Sequence, residues 1–166
     1  GRNKKTMFLN LKTEEGKAIV KELVKEYDIV LEQFRPGVMD KLGLGYEDLK
    51  AVNPGVIYCS LTGYGQSGPL KMAAGHDINY MSRSGIMSHA GRAESGPSLM
   101  NFQIADIAVG SLNSVIGILA AVNYRRNTGK GQYIDVAMMD GCVPFNSLDG
   151  ASFLVSGEEP KREGGR

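Results

Sequence analysis

The sequence predicts an α/β domain. Three short apolar runs read as buried strands: Asp28 to Gln33 (DIVLEQ), Val56 to Leu61 (VIYCSL) and Gln132 to Val136. Stretches with apolar residues at helical spacing lie between them, and Gly, Pro or Asn marks most of the joints. Strands alternating with helices imply a sheet with helices packed on it.

Taken in order, Gly1 to Lys5 is a basic start that runs into Thr6-Met7-Phe8-Leu9-Asn10-Leu11, a strand-like run. Thr13 is placed to cap a helix, with Glu14 and Glu15 favoured in its first turn. Ile19, Val20, Leu23, Val24 and Tyr27 recur at helical spacing, so 14–27 reads as an amphipathic helix. Arg35-Pro36-Gly37 breaks the first buried strand, and Val38 to Leu42 follows as a helical turn. Tyr46 to Val52 is a short helix stopped by Asn53-Pro54-Gly55. Residues 77–88 read as helix and 90–99 as polar loop. Ile104 to Arg126 is the strongest helix, apolar on most faces, and is expected to be buried in a core or a subunit interface. Gly129-Lys130-Gly131 stops it. Ala137 to Leu154 is a further apolar helical segment. Residues 1–156 form a partial large domain, and 157–166 (GEEPKREGGR) a polar tail expected to be mobile. A sheet that opens on a bare strand points to a domain incomplete at both ends.

Composition narrows the function. The 166 residues are 42% hydrophobic and 22% charged, ordinary for a globular chain with one core. A net charge of +1, from 19 basic and 18 acidic residues, gives no support for broad nucleic-acid or membrane-surface binding. It leaves room for a local basic pocket. Cys59 and Cys142 form no C-x-x-C pair, so buried thiols are expected, with no disulfide framework and no metal site. The longest unbroken apolar run falls short of the roughly 20 residues of a membrane span. No signal peptide opens the chain, so cytoplasm or an organelle matrix is the expected location.

Motifs are sparse. There is no G-x-x-x-x-G-K-[ST]. Gly63-x-Gly65-x-x-Gly68 fits G-x-G-x-x-G and follows a strand, but Pro69 and the lack of a helix directly after it make a weak dinucleotide signal. Asp106 opens the most apolar helix. A carboxylate there is explained first by the helix N-terminus; the alternative is a reactive carboxylate aimed into a cleft. His76, in Gly75-His76-Asp77-Ile78-Asn79-Tyr80, is either a satisfied loop histidine or a working one. The residues alone leave both pairs of readings open.

Four stretches, in order and spacing, resemble the family III coenzyme A-transferases (CaiB/BaiF type), which include the 2-methylacyl-CoA racemases. They are Asn3-Lys4-Lys5 with Leu9 to Lys12; Phe34 to Val38 with Leu42 to Tyr46; Ser60 to Pro69 with Gly75-His76-Asp77; and Ala105-Asp106 with Gly117 to Ala121, Arg126, Thr128 to Gln132 and Ile134 to Val136. The resemblance implies the Rossmann-like large domain of an interlocked homodimer, cut from the middle of a chain of about 400 residues, with a second domain missing. It implies coenzyme A or acyl-CoA as substrate, a carboxylic acid as co-substrate and no metal. It makes Asp106 the catalytic carboxylate. Leu9, Lys12, Gln33, Phe34, Arg35, Lys41, Gly75, Asp77 and Tyr80 then fall at coenzyme-contact positions. Arg35 and Lys41 suit phosphates. Asn10 replaces the family's usual Asp, which removes any contact made through that carboxylate.

The resemblance also frames the choice of chemistry. In the transferases the carboxylate attacks the acyl-CoA carbonyl to give an acyl-aspartyl anhydride, and a helix N-terminus would keep it ionised and lend N–H groups to an oxyanion. In the racemases a histidine in G-H-D-I-N-Y pairs with the aspartate to move the proton alpha to the thioester. His76 keeps the second open. Ile107 in place of the racemases' Phe, and Gly110 as the remnant of their glycine run, favour the transferase. A non-catalytic CoA-binding module is the third reading.

Overall fold

Thr13 starts the fold locally, as its sequence position predicts. Its hydroxyl accepts a bond from the Gly16 N–H at 3.1 Å, and helix α1 (Glu14–Glu26) follows. The computed structural model describes residues 2–162. Beyond α1 the chain runs through β1 (Ile29–Glu32), α2 (Val38–Lys41), α3 (Tyr46–Val52), β2 (Ile57–Thr62) and α4 (Asp77–Arg83). A short 3₁₀ turn (Ile86–His89) and a π-helix (Ile104–Ser111) lead into α5 (Leu112–Thr128), β3 (Gln132–Ala137), α6 (Met138–Cys142), a second 3₁₀ turn (Val143–Asn146) and α7 (Ser147–Ser156).

The three strands form one parallel sheet in the order β1-β2-β3, with Val30 opposite Tyr58 and Tyr58 opposite Tyr133. Parallel strands need covered faces, and β2 at the centre is buried over Ile57 to Ser60. One face rests on a core of Val24, Leu44, Leu49, Val56 and Tyr58. On the other, α5 comes close enough that a side chain on Gly117 would press on Ile134. A second core, of Tyr64, Tyr80, Met81, Met87, Ala105, Val109 and Cys142, joins α4, the π-helix and α6 beyond the strand ends. Both cysteines are free and buried.

Four expectations are corrected. Thr6 to Leu11 pairs with no strand among the described residues, and Phe8 is 98% exposed; an apolar run becomes a strand only where a ladder partner exists. The 77–88 helix breaks at Gly85, whose left-handed φ of 89° ends α4. Residues 137–154 are broken into short helices around a 3₁₀ turn that begins with Val143-Pro144. Residues 104–126 are a π-helix running into an α-helix that reaches Thr128, and only one stripe is buried: Ala105, Val109, Gly110, Ser114 and Ala121. Ile107, Leu112, Val115, Ile116 and Leu119 face outward and are more than half exposed. At 25 residues this continuous helix is long and apolar enough to cross a membrane, which a count of unbroken apolar residues did not register; its α5 part packs on β2 and β3 and its π-helical part on α4 and α6. Of the expected tail, 157–162 carries no regular structure and 163–166 lies outside the described residues.

Candidate active site

In open parallel sheets, ligands bind beyond the carboxyl ends of the strands. Here that region holds a cavity of about 670 Å³, within the range of small-molecule sites. The chain leaving β1 supplies Gln33, Phe34, Arg35 and Pro36; the chain leaving β2 supplies Thr62, Gly63 and Tyr64; Met138 follows β3. Gly75, His76, Asn79 and Tyr80 close it from α4 and the loop before it, and Asp106, Ile107 and Ser111 from the π-helix. The Met139 N–H donates to the Gly63 carbonyl at 2.9 Å, tying two of these strand ends together.

Sequence-predicted site residues meet here from distant parts of the chain. Gln33, Phe34, Arg35, Gly75, His76, Tyr80 and Asp106 all line the cavity. Asp77 stands behind the lining, with its Oδ1 accepting the Asp106 N–H at 2.9 Å. Leu9, Lys12 and Lys41 lie outside the lining; both lysines are exposed. The cavity also holds Lys71, Asn79 and Ser111, which sequence reasoning missed. Asn79 had a readable signal: it sits three residues after a helix-capping position, and its Oδ1 accepts the His76 N–H at 2.9 Å. Lys71, in an irregular loop, and Ser111, inside an apolar helix, carried none.

Asp106 is the third residue of the π-helix and is half-buried. Its Oδ2 accepts from Gln103 Nε2 at 3.1 Å, and its carbonyl accepts from Ser111 Oγ at 2.9 Å. Burial pushes its carboxyl above the ordinary value near 3.8; the Asp77 charge adds to this and His76 opposes it. Burial and the like charge thus oppose the ionised form that a helix start favours. Asp106's own N–H is taken by Asp77, which removes it as an oxyanion donor. His76 lines the cavity, and its backbone N–H is held by the Asn79 side chain. Tyr80 is buried, donates its hydroxyl to the Gly75 carbonyl at 2.6 Å and meets Tyr64 edge-on at 5.1 Å. Burial raises its phenol, with Tyr64 and then Asp106 adding to the shift. Glu32 anchors the β1 end of the cavity: one carboxylate oxygen accepts the Phe34 N–H at 2.7 Å and the other accepts the Ser60 hydroxyl.

A parallel sheet with an imidazole and a half-buried carboxylate in one cavity at its strand ends defines the class as an α/β protein with a ligand-sized cavity beyond the sheet. The family is specific: the model of CoA-transferase family III matches residues 1–166, and the chain belongs to that family. It is 45% identical over 148 residues to human alpha-methylacyl-CoA racemase, covering 89% of this chain and 39% of that protein. It is 39% identical over 165 residues to acetyl-CoA:oxalate CoA-transferase of Acetobacter aceti, covering 99% of this chain and 42% of that protein. The crystal structure of a CAIB/BAIF family protein from Brucella suis matches with a TM-score of 0.88 and 44% identity, over 94% of this chain and 41% of that one. The chain thus spans about two fifths of the length of these relatives.

Proposed function

We propose that this site moves the proton alpha to the carbonyl of an acyl-CoA thioester, with His76 and Asp106 as the acid–base pair. The observation that carries this reading is that both groups line one cavity from the starts of two neighbouring helices. One group removes the α-proton and leaves an enolate; the other delivers a proton to the same carbon from the opposite face. A raised carboxyl moves towards the proton affinity of an imidazole, and matched affinities suit such an exchange. The likeness to human alpha-methylacyl-CoA racemase supports this order of readings.

Arg35 and Lys71, which line the cavity, are assigned to the coenzyme's phosphates, with Gln33, Phe34, Gly75 and Tyr80 as its other contacts. Leu9, Lys12 and Lys41 are assigned to parts of the coenzyme that reach past the lining. A homodimer in the cytoplasm or an organelle matrix completes the proposal.

The test uses the full-length protein with a 2-methylacyl-CoA in heavy water. Deuterium should enter the α-position, and Asp106→Ala and His76→Ala should each suppress it. No exchange by the intact protein sinks this reading. The flank of Asp106, with Ile107 and a single glycine at Gly110, supports transfer as the second reading, as does the likeness to the Acetobacter aceti enzyme. There the Asp106 carboxylate attacks the thioester carbonyl, the C–S bond breaks, CoA leaves as thiolate and an acyl-aspartyl anhydride remains. The thiolate then attacks the aspartyl carbonyl, the donor acid leaves as carboxylate and an aspartyl-CoA thioester forms. The incoming carboxylate displaces CoA from it to give a new anhydride, and thiolate attack on the new acyl carbonyl gives the new acyl-CoA and frees Asp106. Hydroxylamine added during turnover should then mark Asp106. Binding of CoA with neither activity would leave the binding module.

A further inference from the structure

We infer that Asp77 is a positioning residue whose side chain fixes His76 and Asp106 in one frame. Asp77 is the first residue of α4, and His76 caps that helix immediately before it. Its Oδ1 reaches across 29 residues of sequence to the Asp106 N–H, at 2.9 Å. The first N–H groups of a helix have no partner within it, so this carboxylate supplies to one helix what its own turn lacks. Two helix starts, each carrying one member of the proposed pair, are joined by a single side chain. Asp77 is only partly exposed and takes no place in the cavity lining, so it acts from behind the pair. The inference rests on the proposed function of His76 and Asp106 and assigns Asp77 a role other than coenzyme contact.

The charge on Asp77 has a separate effect, because it stands beside the Asp106 carboxyl and helps to raise it. The other ionisable groups around Asp106 are His76 and Tyr80 from α4, Arg35 and Lys71 on the cavity wall, and the Cys142 thiol and Asp140 from α6; the charges of α5, Arg125 and Arg126, sit in its last turn. Asp77 therefore has two separable contributions, an acceptor for the Asp106 N–H and a like charge.

Two substitutions in the full-length protein separate them. Asp77→Asn keeps an acceptor oxygen and removes the charge. It should retain most of kcat, keep the Asp106 amide protected from hydrogen exchange, and move the acid limb of the kcat profile to lower pH. Asp77→Ala removes both. It should expose the Asp106 amide to exchange and lower kcat on the order of 10²-fold, as misplacement of reacting groups by about an ångström does, with KM for acyl-CoA little changed. Parental kcat and parental amide protection in Asp77→Ala would overturn the inference. So would an Asp77→Asn variant that falls as far as Asp77→Ala with its acid limb unmoved. Asp106→Ala is the control for the function itself. If it stays active, the acyl-CoA reading fails, and amide protection in the two Asp77 variants still decides whether the tie exists.

Discussion

Gly63→Ala tests how tightly the cavity floor is built. A Cβ at Gly63 would lie 2.3 Å from Tyr80 Cε1, 2.5 Å from Cζ and 2.6 Å from the hydroxyl. Carbon contacts are comfortable at about 3.5–4.0 Å, so the ring would have to move by more than an ångström. Its movement away from Gly63 is hemmed in on two sides and tethered at its tip. Gly75 lies on it too, so closely that a Cβ there would sit 2.6 Å from the same Cε1; Tyr64 abuts it edge-on; and its hydroxyl is bonded to the Gly75 carbonyl. Gly63 is not in left-handed backbone, so alanine adds no backbone strain and the cost is steric. Overpacking of this kind costs about 1–3 kcal/mol, and breaking the Tyr80 bond adds about 1 kcal/mol. Urea unfolding of the full-length protein should therefore show a loss of about 2–4 kcal/mol. In a Tyr80→Ala background the obstacle is gone, and Gly63→Ala should cost under about 0.5 kcal/mol. A single mutant within about 0.5 kcal/mol of the parent, or an equal cost in both backgrounds, would refute the reasoning.

Three further outcomes are expected. Asp106→Asn should stabilise the fold at neutral pH. A carboxyl raised on folding costs stability while ionised; that cost is full above its folded value, shrinks as pH falls through it and is gone below the unfolded value near 3.8, so thermal melts of variant and parent should converge in acid. Leu49→Ala, at a fully buried position under the sheet, should cost about 2–5 kcal/mol in urea unfolding. Thr13→Ala should cost about 1 kcal/mol by removing the acceptor for the Gly16 N–H, while Thr13→Ser should cost much less.

What the sequence disclosed divides by range. Thr13 and α1 were legible because a cap and its helix lie within one turn of each other. The three strands were placed to within a residue or two because β-branched and aromatic runs bounded by turn residues encode themselves. The Thr6 to Leu11 run has the same local look but no ladder partner among the described residues, and no local pattern reports that. The long apolar helix was legible as a helix. Its exposed stripe was not, because Ile116 and Leu119 differ from Ala105 and Val109 only in what faces them. At the site, Asp106 and His76 could be picked out one at a time. That they share a cavity depends on the π-helix packing against α4, and the bond from the Asp106 amide to Asp77 has no signature in either segment. The carboxyl's upward shift was hidden for the same reason, since it depends on burial and on a neighbour remote in sequence.

The wide coil of residues 104–111 has a consequence for how the chain tolerates change. Its bonds reach five residues back, as from the Leu112 N–H to the Ile107 carbonyl, so it holds more residues per turn than the α-helix it feeds. Deleting Ala108 would let the segment tighten to α geometry, and five steps of α-helix turn about 500°, nearly what six steps of the wider coil turn, so Asp106 would keep its bearing on α5. The bearing of that carboxylate is thus shared by the extra residue and the wide coil that takes it up. Between Asp106 and Leu112 a lost residue can be absorbed by tightening the coil, whereas a larger side chain at Gly110 cannot, because its Cβ would lie 3.1 Å from Met138 Cγ and 3.2 Å from Leu61 Cδ1.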